Sequence, residues 1–163
     1  MIRTATADDL PAIAAIYDHH ARNGIATFDT EGPSVVAWGE KMAMIQQRGW
    51  PFLAIEEDGA LAGFAYASFF RDRRAYDWTC EDSVYVAPGR EGRGIGKALM
   101  RALMEAARAA GFRQMLALIG GGSPASVALH AACGFVPVGT FRGVGQKFGQ
   151  TLDVALMQAS LEA

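Results

Sequence analysis

The sequence predicts an α+β fold built on one mixed sheet, and three observations predict it. Two apolar runs, PFLAIEE and ALAGFAYASFF, flank Asp58-Gly59, the strongest short signal for a tight hairpin turn. In the middle of the chain a strand pattern, YDWTCEDSVYVAP, leads through a glycine-rich loop into the helical pattern GKALMRALMEAARAAG and then into another strand, FRQMLALIG. Two further strand patterns, FVPVGTFR and KFGQTLDVALMQ, close the chain.

The other elements follow in order. IRTAT is a short first strand. ADDLPAIAAIYDHHARN reads as a helix capped by Asp8, with Pro11 in its first turn, Leu10, Ile13, Ile16 and Tyr17 at helical spacing, and Gly24 closing it. PSVVAWGEKMAMIQQRG reads as a second helix ended by Gly49, with Trp38, Met42 and Met44 assigned to the core. Pro88 ends the strand that begins at YDW. SPASVALHAACG is a short helix with Ser123 as its cap and Pro124 at the first helical position.

Composition bounds the function. A chain of 163 residues, 51% hydrophobic with a net charge of -2, fits one soluble domain spanning 1–163. The slight acidity argues against a nucleic-acid partner. No apolar run reaches the roughly 18 residues that cross a membrane, and the N-terminus lacks the apolar core of a signal peptide. Cys80 and Cys133 form neither a CxxC pair nor a disulfide framework, so a cytoplasmic location with reduced thiols is expected. The histidines are His19, His20 and His130. None stands in HExxH spacing, and no metal site is expected. His19 and His20 are read as surface residues.

The stretch GREGRGIGKALM, Gly89–Met100, places four glycines and three cations directly before a helix. Unpartnered first-turn N–H groups, the helix dipole and a backbone open to close approach together make an anion site. It is no GxxxxGK[ST] loop, because Ala98 follows Lys97. It lies mid-chain after a hairpin, so it is no dinucleotide fingerprint either. An ordinary strand-to-helix turn is the plain alternative for the loop taken alone.

The window Glu91–Gly96 resembles the [Q/R]xxGx[G/A] pyrophosphate loop of the GCN5-related N-acetyltransferases. AYDWTCEDSVYV, SVALHAACGF and GTFRGVGQKFGQTLDVALMQ are similar to the phosphinothricin and methionine sulfoximine acetyltransferase subgroup, over nearly the whole chain. The resemblance implies a mixed sheet of six or seven strands with about four helices, acetyl-coenzyme A as co-substrate, a small amino-acid-like acceptor and a homodimer. It implies that Gly92, Arg93, Gly94, Ile95, Gly96, Lys97 and Ser123 hold the coenzyme, with Arg90 as a further cation beside the loop. Val84, Tyr85 and Val86 are then implied to hold the acetyl carbonyl and the pantetheine arm through their backbone. Phe28, Arg73, Arg74 and Lys147 match acceptor-side positions, Arg73 and Arg74 within the basic cluster Arg71–Arg74. Three residues depart from the pattern: Glu91 stands where the family has Gln or Arg, Ser123 where relatives place Asn, and Thr151 where the subgroup has Trp.

Acetyl transfer to an amine needs a base to free the nitrogen lone pair and donors for the developing oxyanion. Glu81 is the expected base. Strand alternation puts it on one face with Ser83 and Tyr85, and puts Cys80, Asp82, Val84 and Val86 on the other. Asp82 is the competitor, read as structural. His130 is expected to assist the leaving thiol, against the plain reading of a structural helix histidine. Neither cysteine is expected to act as a nucleophile. Two alternatives stay open: an acetyltransferase for another small amine or a peptide N-terminus, and an acyl-coenzyme A sensor without turnover.

Overall fold

The computed structural model describes residues 1–162. The elements are β1 (Ile2–Thr4), α1 (Leu10–Asn23), α2 (Val35–Gln47), β2 (Phe52–Glu57), β3 (Ala60–Phe69), β4 (Thr79–Val86), α3 (Ile95–Ala109), β5 (Gln114–Gly120), α4 (Pro124–Ala131), β6 (Val136–Lys147) and β7 (Gln150–Ser160). Short 3-10 turns stand at Ala7–Asp9 and Arg74–Tyr76. The seven strands form one sheet in the order β1-β2-β3-β4-β5-β7-β6. Of its pairings, only β4–β5 is parallel. The expected mixed sheet with four helices is what forms.

Two apolar layers sandwich this sheet. α3 turns Ile95, Leu99, Met100, Leu103 and Ala107 onto one face, where they meet Ala65, Cys80 and Met115 of the strands. Such a spacing is the apolar stripe of a surface helix, and each fully buried Leu contributes about 1.5–3 kcal/mol. On the other face α1 and α2 bury Ile13, Ile16, Tyr17, Trp38, Met42 and Ile45 against Phe52, Phe64 and Tyr66. Trp38 packs edge-on to Phe64 at 5.5 Å and to Tyr17 at 5.2 Å.

Local chemistry sets the turns. Asp58 (φ 52) and Gly59 (φ 74) both adopt the left-handed conformation that a two-residue hairpin requires. The start of the first helical segment differs from expectation. Asp9, not the exposed Asp8, accepts the Thr6 N–H at 2.8 Å and takes both guanidinium branches of Arg3 at 2.7 and 2.8 Å. A residue that closes a turn and holds an arginine at once outcompetes a solvated neighbour. Ser123 occupies the N-cap of α4 but makes no side-chain cap bond. The last hairpin also differs. β6 runs on through Gly143 and Gly145 to Lys147, and the turn falls at Phe148 (φ 51) and Gly149 (φ 73). The glycines bulge the strand between Phe141 and Gly145 instead of ending it.

Candidate active site

The site begins where two strands part. β4 and β5 pair at Thr79↔Gln114, Cys80↔Met115 and Glu81↔Leu116, and no further. Beyond that point β4 continues beside β3 to Gly63↔Val86, while β5 continues beside β7 to Gly120↔Val154. The V between them holds a cavity of about 310 Å³, lined among others by Phe28, Glu81, Asp82, Val84, Leu118 and His130.

The open edge of β4 follows from its register. Ala87 donates to Ala62 O at 2.8 Å, so the backbone groups of the odd-numbered residues face β3. Asp82, Val84 and Val86 therefore turn their N–H and C=O groups toward the cleft. Tyr85, expected to share this role, directs its backbone to β3 and its ring against Tyr17 and Phe64. His20 is no surface residue: its Nε2 lies 2.8 Å from Val86 O and ties α1 to the strand. That leaves Val84 with both backbone groups unclaimed by a strand or by His20, and unpaired backbone groups demand a partner.

Glu81 and Asp82 are adjacent acids on opposite faces. Glu81 is half-buried on the α1–α2 face; burial first, then the charge of Asp82, pushes its carboxyl above the ordinary range, with Arg71 and Lys41 pulling the other way. Asp82 is buried on the α3–α4 face, where its Oδ2 lies 3.0 Å from His130 Nε2. His130 Nδ1 lies 2.6 Å from Ser126 O. Both ring nitrogens thus face acceptor oxygens, a pattern that an imidazolium satisfies and a neutral ring does not. Burial opposes that charge, but the hydrogen bond and charge of Asp82 and the Ser126 carbonyl outweigh it and raise the His130 pKa. His130 is 5% exposed, and its two nitrogens have partners without any ligand. Asp82 Oδ1 is buried and has no partner among the described residues.

The glycine loop lies on the His130 face. Gly89, Gly92 and Gly94 have φ of 79, 75 and 82, values open to glycine at little cost. Gly94 is the N-cap of α3 and provides no side chain, so the N–H groups of Ile95, Gly96 and Lys97 stay uncapped at the positive end of the helix dipole. A Cβ on Gly96 would stand 3.2 Å from Leu129 Cδ2, so any side chain there crowds α4 and makes Leu129 give way. Arg93 is exposed and Lys97 half-buried beside the loop. Arg90 is bound instead to the first hairpin, 3.2 Å from Glu57 and 3.6 Å from Asp58. Glu91 is exposed. The loop fits a pyrophosphate held by backbone donors.

Opposite, the 24–34 loop closes the cleft. Phe28 lies against Gly145 and Gly120, where a Cβ would meet its ring carbons at 2.3 and 3.1 Å. Tyr17 Oη donates to Asp29 at 2.5 Å. Lys147, expected at the acceptor, is 2% exposed and donates to Thr27 O at 2.8 Å, with burial lowering its pKa. It holds the loop from behind. Arg73 and Arg74 line a separate cavity of about 340 Å³ with Arg48, Trp50 and Phe112, and are not brought to the Glu81 cleft. Arg71 is the member of that cluster whose charge reaches Glu81. The charge of Lys41, a lone cation of α2 between Trp38 and Met42 that the sequence does not single out, also reaches Glu81.

Residues 13–135 match the family described as Acetyltransferase (GNAT) family. The chain is 45% identical over 163 residues to a phosphinothricin N-acetyltransferase of Alcaligenes faecalis, spanning 99% of this chain and 83% of that one. It is 38% identical over 165 residues to an L-methionine sulfoximine/L-methionine sulfone acetyltransferase of Pseudomonas aeruginosa, spanning 99% and 94%. Among solved structures, a GNAT superfamily phosphinothricin acetyltransferase from Sinorhizobium meliloti in complex with AcCoA superposes with a TM-score of 0.95 at 43% identity, over 98% of this chain and 87% of that one. Loop, cleft and comparisons agree, and the chain belongs to the GNAT family of acetyltransferases.

Proposed function

We propose that this protein, as one acetyltransferase domain over residues 1–163, moves the acetyl group of acetyl-coenzyme A to the primary amine of a small amino-acid-like acceptor of the phosphinothricin or methionine sulfoximine type. One observation carries the reading: the gap between β4 and β5 opens a cavity lined from both faces of the sheet, by His130 of α4 on the face that carries the anion loop and by the half-buried acid Glu81 on the other. The pyrophosphate sits on the backbone of Gly92, Gly94, Ile95 and Gly96, with Arg93 and Lys97 adding charge. Val84 and its neighbours on the open edge of β4 hold the thioester arm.

The amine enters from the α1–α2 side, past Phe28. Glu81 takes its proton directly or through one water. Nitrogen then attacks the thioester carbonyl, the backbone donors of the β4 edge stabilise the oxyanion, and the C–S bond breaks with its electron pair going to sulfur. The proton lost by nitrogen balances the proton gained by the thiol. The His130–Asp82 pair shapes the thiol side without giving up its protons. No cysteine attacks: Cys80 is buried on the opposite face from Glu81, and burial pushes its thiol up to about 12. Arg71 offers a bidentate donor to an acidic group of the acceptor.

Two further features belong to this reading. β6 is exposed along nearly its whole length and carries Val136, Val138, Phe141 and Val144 to the surface, which supports a homodimer through this edge. The two free cysteines support a cytoplasmic location. No helix among the described residues is long and apolar enough to cross a membrane. Release of free thiol from acetyl-coenzyme A, followed over a panel of amino acids, amines and peptides, tests the reading. Turnover confined to peptides or to simple amines would replace the acceptor class. Binding without turnover on any amine would make the protein a sensor.

A further inference from the structure

We infer that Lys41 is a specificity-determining residue for the acceptor, and that it takes the α-carboxylate of an amino acid whose amine is presented to Glu81. The inference deepens the acceptor class proposed above and rests on it.

Lys41 lies on α2, which covers the same face of the sheet as Glu81. Its Nζ donates to Tyr66 Oη at 2.8 Å and sits 4.5 Å above the Tyr66 ring and 5.3 Å from the Trp38 ring. Tyr66 stands directly across the sheet from Ser83, and Glu81 is the next residue of β4 on that face. The aromatic platform thus fixes a half-buried ammonium on the same face of the sheet as the base, near enough for its charge to act on the Glu81 carboxyl. That ammonium makes no ion pair among the described residues, although the chain pairs Arg3, Arg22 and Arg90 with carboxylates. Only one of its three N–H donors is used by a side chain, and its charge reaches the Glu81 carboxyl together with that of Arg71.

An unspent cation beside a base suits one ligand geometry. In an α-amino acid the carboxylate is two bonds from the nitrogen. If the nitrogen is delivered to Glu81, the carboxylate lands close by, where an uncompensated negative charge would repel Glu81 itself. Lys41 supplies the opposite charge at that place. Arg71, just past the end of β3, then remains free for an acidic or polar group on the acceptor's side chain. A simple amine lacks the group that Lys41 reads, and a site built for a charged partner rejects the analogue without it.

The experiment compares L-methionine sulfoximine with its α-carboxamide, which keeps the amine and the side chain and removes the negative charge. Thiol release is measured for wild type, Lys41→Met, Lys41→Gln and Lys41→Arg at saturating acetyl-coenzyme A. Wild type should favour the acid over the amide in kcat/KM by roughly ten- to a hundredfold, the worth of one charge-assisted hydrogen bond. Lys41→Met and Lys41→Gln should abolish that preference by raising KM for the acid, with kcat and the amide kinetics little changed. Lys41→Arg should restore part of it. A preference that survives in both neutral variants, or acid and amide kinetics that fall together, would overturn the assignment. Equal use of acid and amide by wild type would sink Lys41 alone. Failure of wild type to release thiol with either compound would overturn the acceptor class, and this assignment with it.

Discussion

Glu81 and Asp82 are neighbours in the chain and carry the same functional group, yet the sheet gives them opposite circumstances. Glu81 lies on the α1–α2 face with no hydrogen-bond partner from a side chain, beside two cations that make no ion pair among the described residues. Asp82 lies on the α3–α4 face, bonded to an imidazole whose other nitrogen meets a backbone carbonyl. A carboxyl whose pKa is raised and whose oxygens are free can exchange protons with a ligand. One locked in a buried pair cannot do so without breaking that pair. Environment, more than residue type, assigns the work.

The largest effect should come from Glu81, the unpaired member of this contrast. Glu81→Gln is expected to lower kcat by about 10²–10⁴-fold, the range for a positioned base, while leaving acetyl-coenzyme A affinity unchanged in calorimetry. Asp82→Asn should do the reverse. It keeps shape and one acceptor but removes the charge on His130, and should cost about 1–3 kcal/mol of folding stability with a smaller effect on rate. The sign with pH is fixed by the raised His130 pKa. The pair's contribution is fully present below the unfolded imidazole value of about 6.5 and is lost as pH rises through the folded value. Melting curves should therefore show the widest gap between wild type and Asp82→Asn in mildly acidic buffer, narrowing as the buffer becomes alkaline.

The coenzyme loop sharpens the contrast because it works with backbone alone. Gly96→Val must displace Leu129, and should weaken acetyl-coenzyme A binding roughly tenfold, in line with overpacking costs of about 1–3 kcal/mol. Arg93→Ala touches only an exposed cation, and should weaken binding by no more than about fivefold, with the difference shrinking in salt. Equal losses for the two variants would mean that side-chain charge, not the backbone, holds the pyrophosphate.

Much of this site was legible in the sequence where the physics is local. Strand periodicity alone separated Glu81 from Asp82, the Asp58-Gly59 pair fixed one hairpin, and four closely spaced glycines announced the loop before α3, three of them at positive φ in the structure. What was not legible depends on contacts between distant segments. His130 and Asp82 are 48 residues apart, and Lys147 and Thr27 are 120 apart. No spacing rule joins such pairs, and so Lys147 read as an acceptor ligand when it is a buried support for the 24–34 loop. The run of glycines in GVGQK resembled a loop because its bulge is permitted by pairing with β7, which the strand's own residues do not reveal.

The central claim is that Glu81 frees the amine, and the pH profile of transfer tests it most directly. Initial rates with L-methionine sulfoximine at saturating acetyl-coenzyme A would be compared for wild type and Glu81→Gln across the acid and neutral range. A base must be ionised to act, so the wild-type rate should fall on the acid side through an ionisation above 4.5, the ordinary glutamate value, as burial and the Asp82 charge require. Glu81→Gln should lack that ionisation, rise steadily with pH as free amine becomes available, and approach wild type only in alkaline buffer. A glutamine variant with the wild-type rate near neutral pH, or with the same acid limb, would contradict the account and remove Glu81 from the reaction.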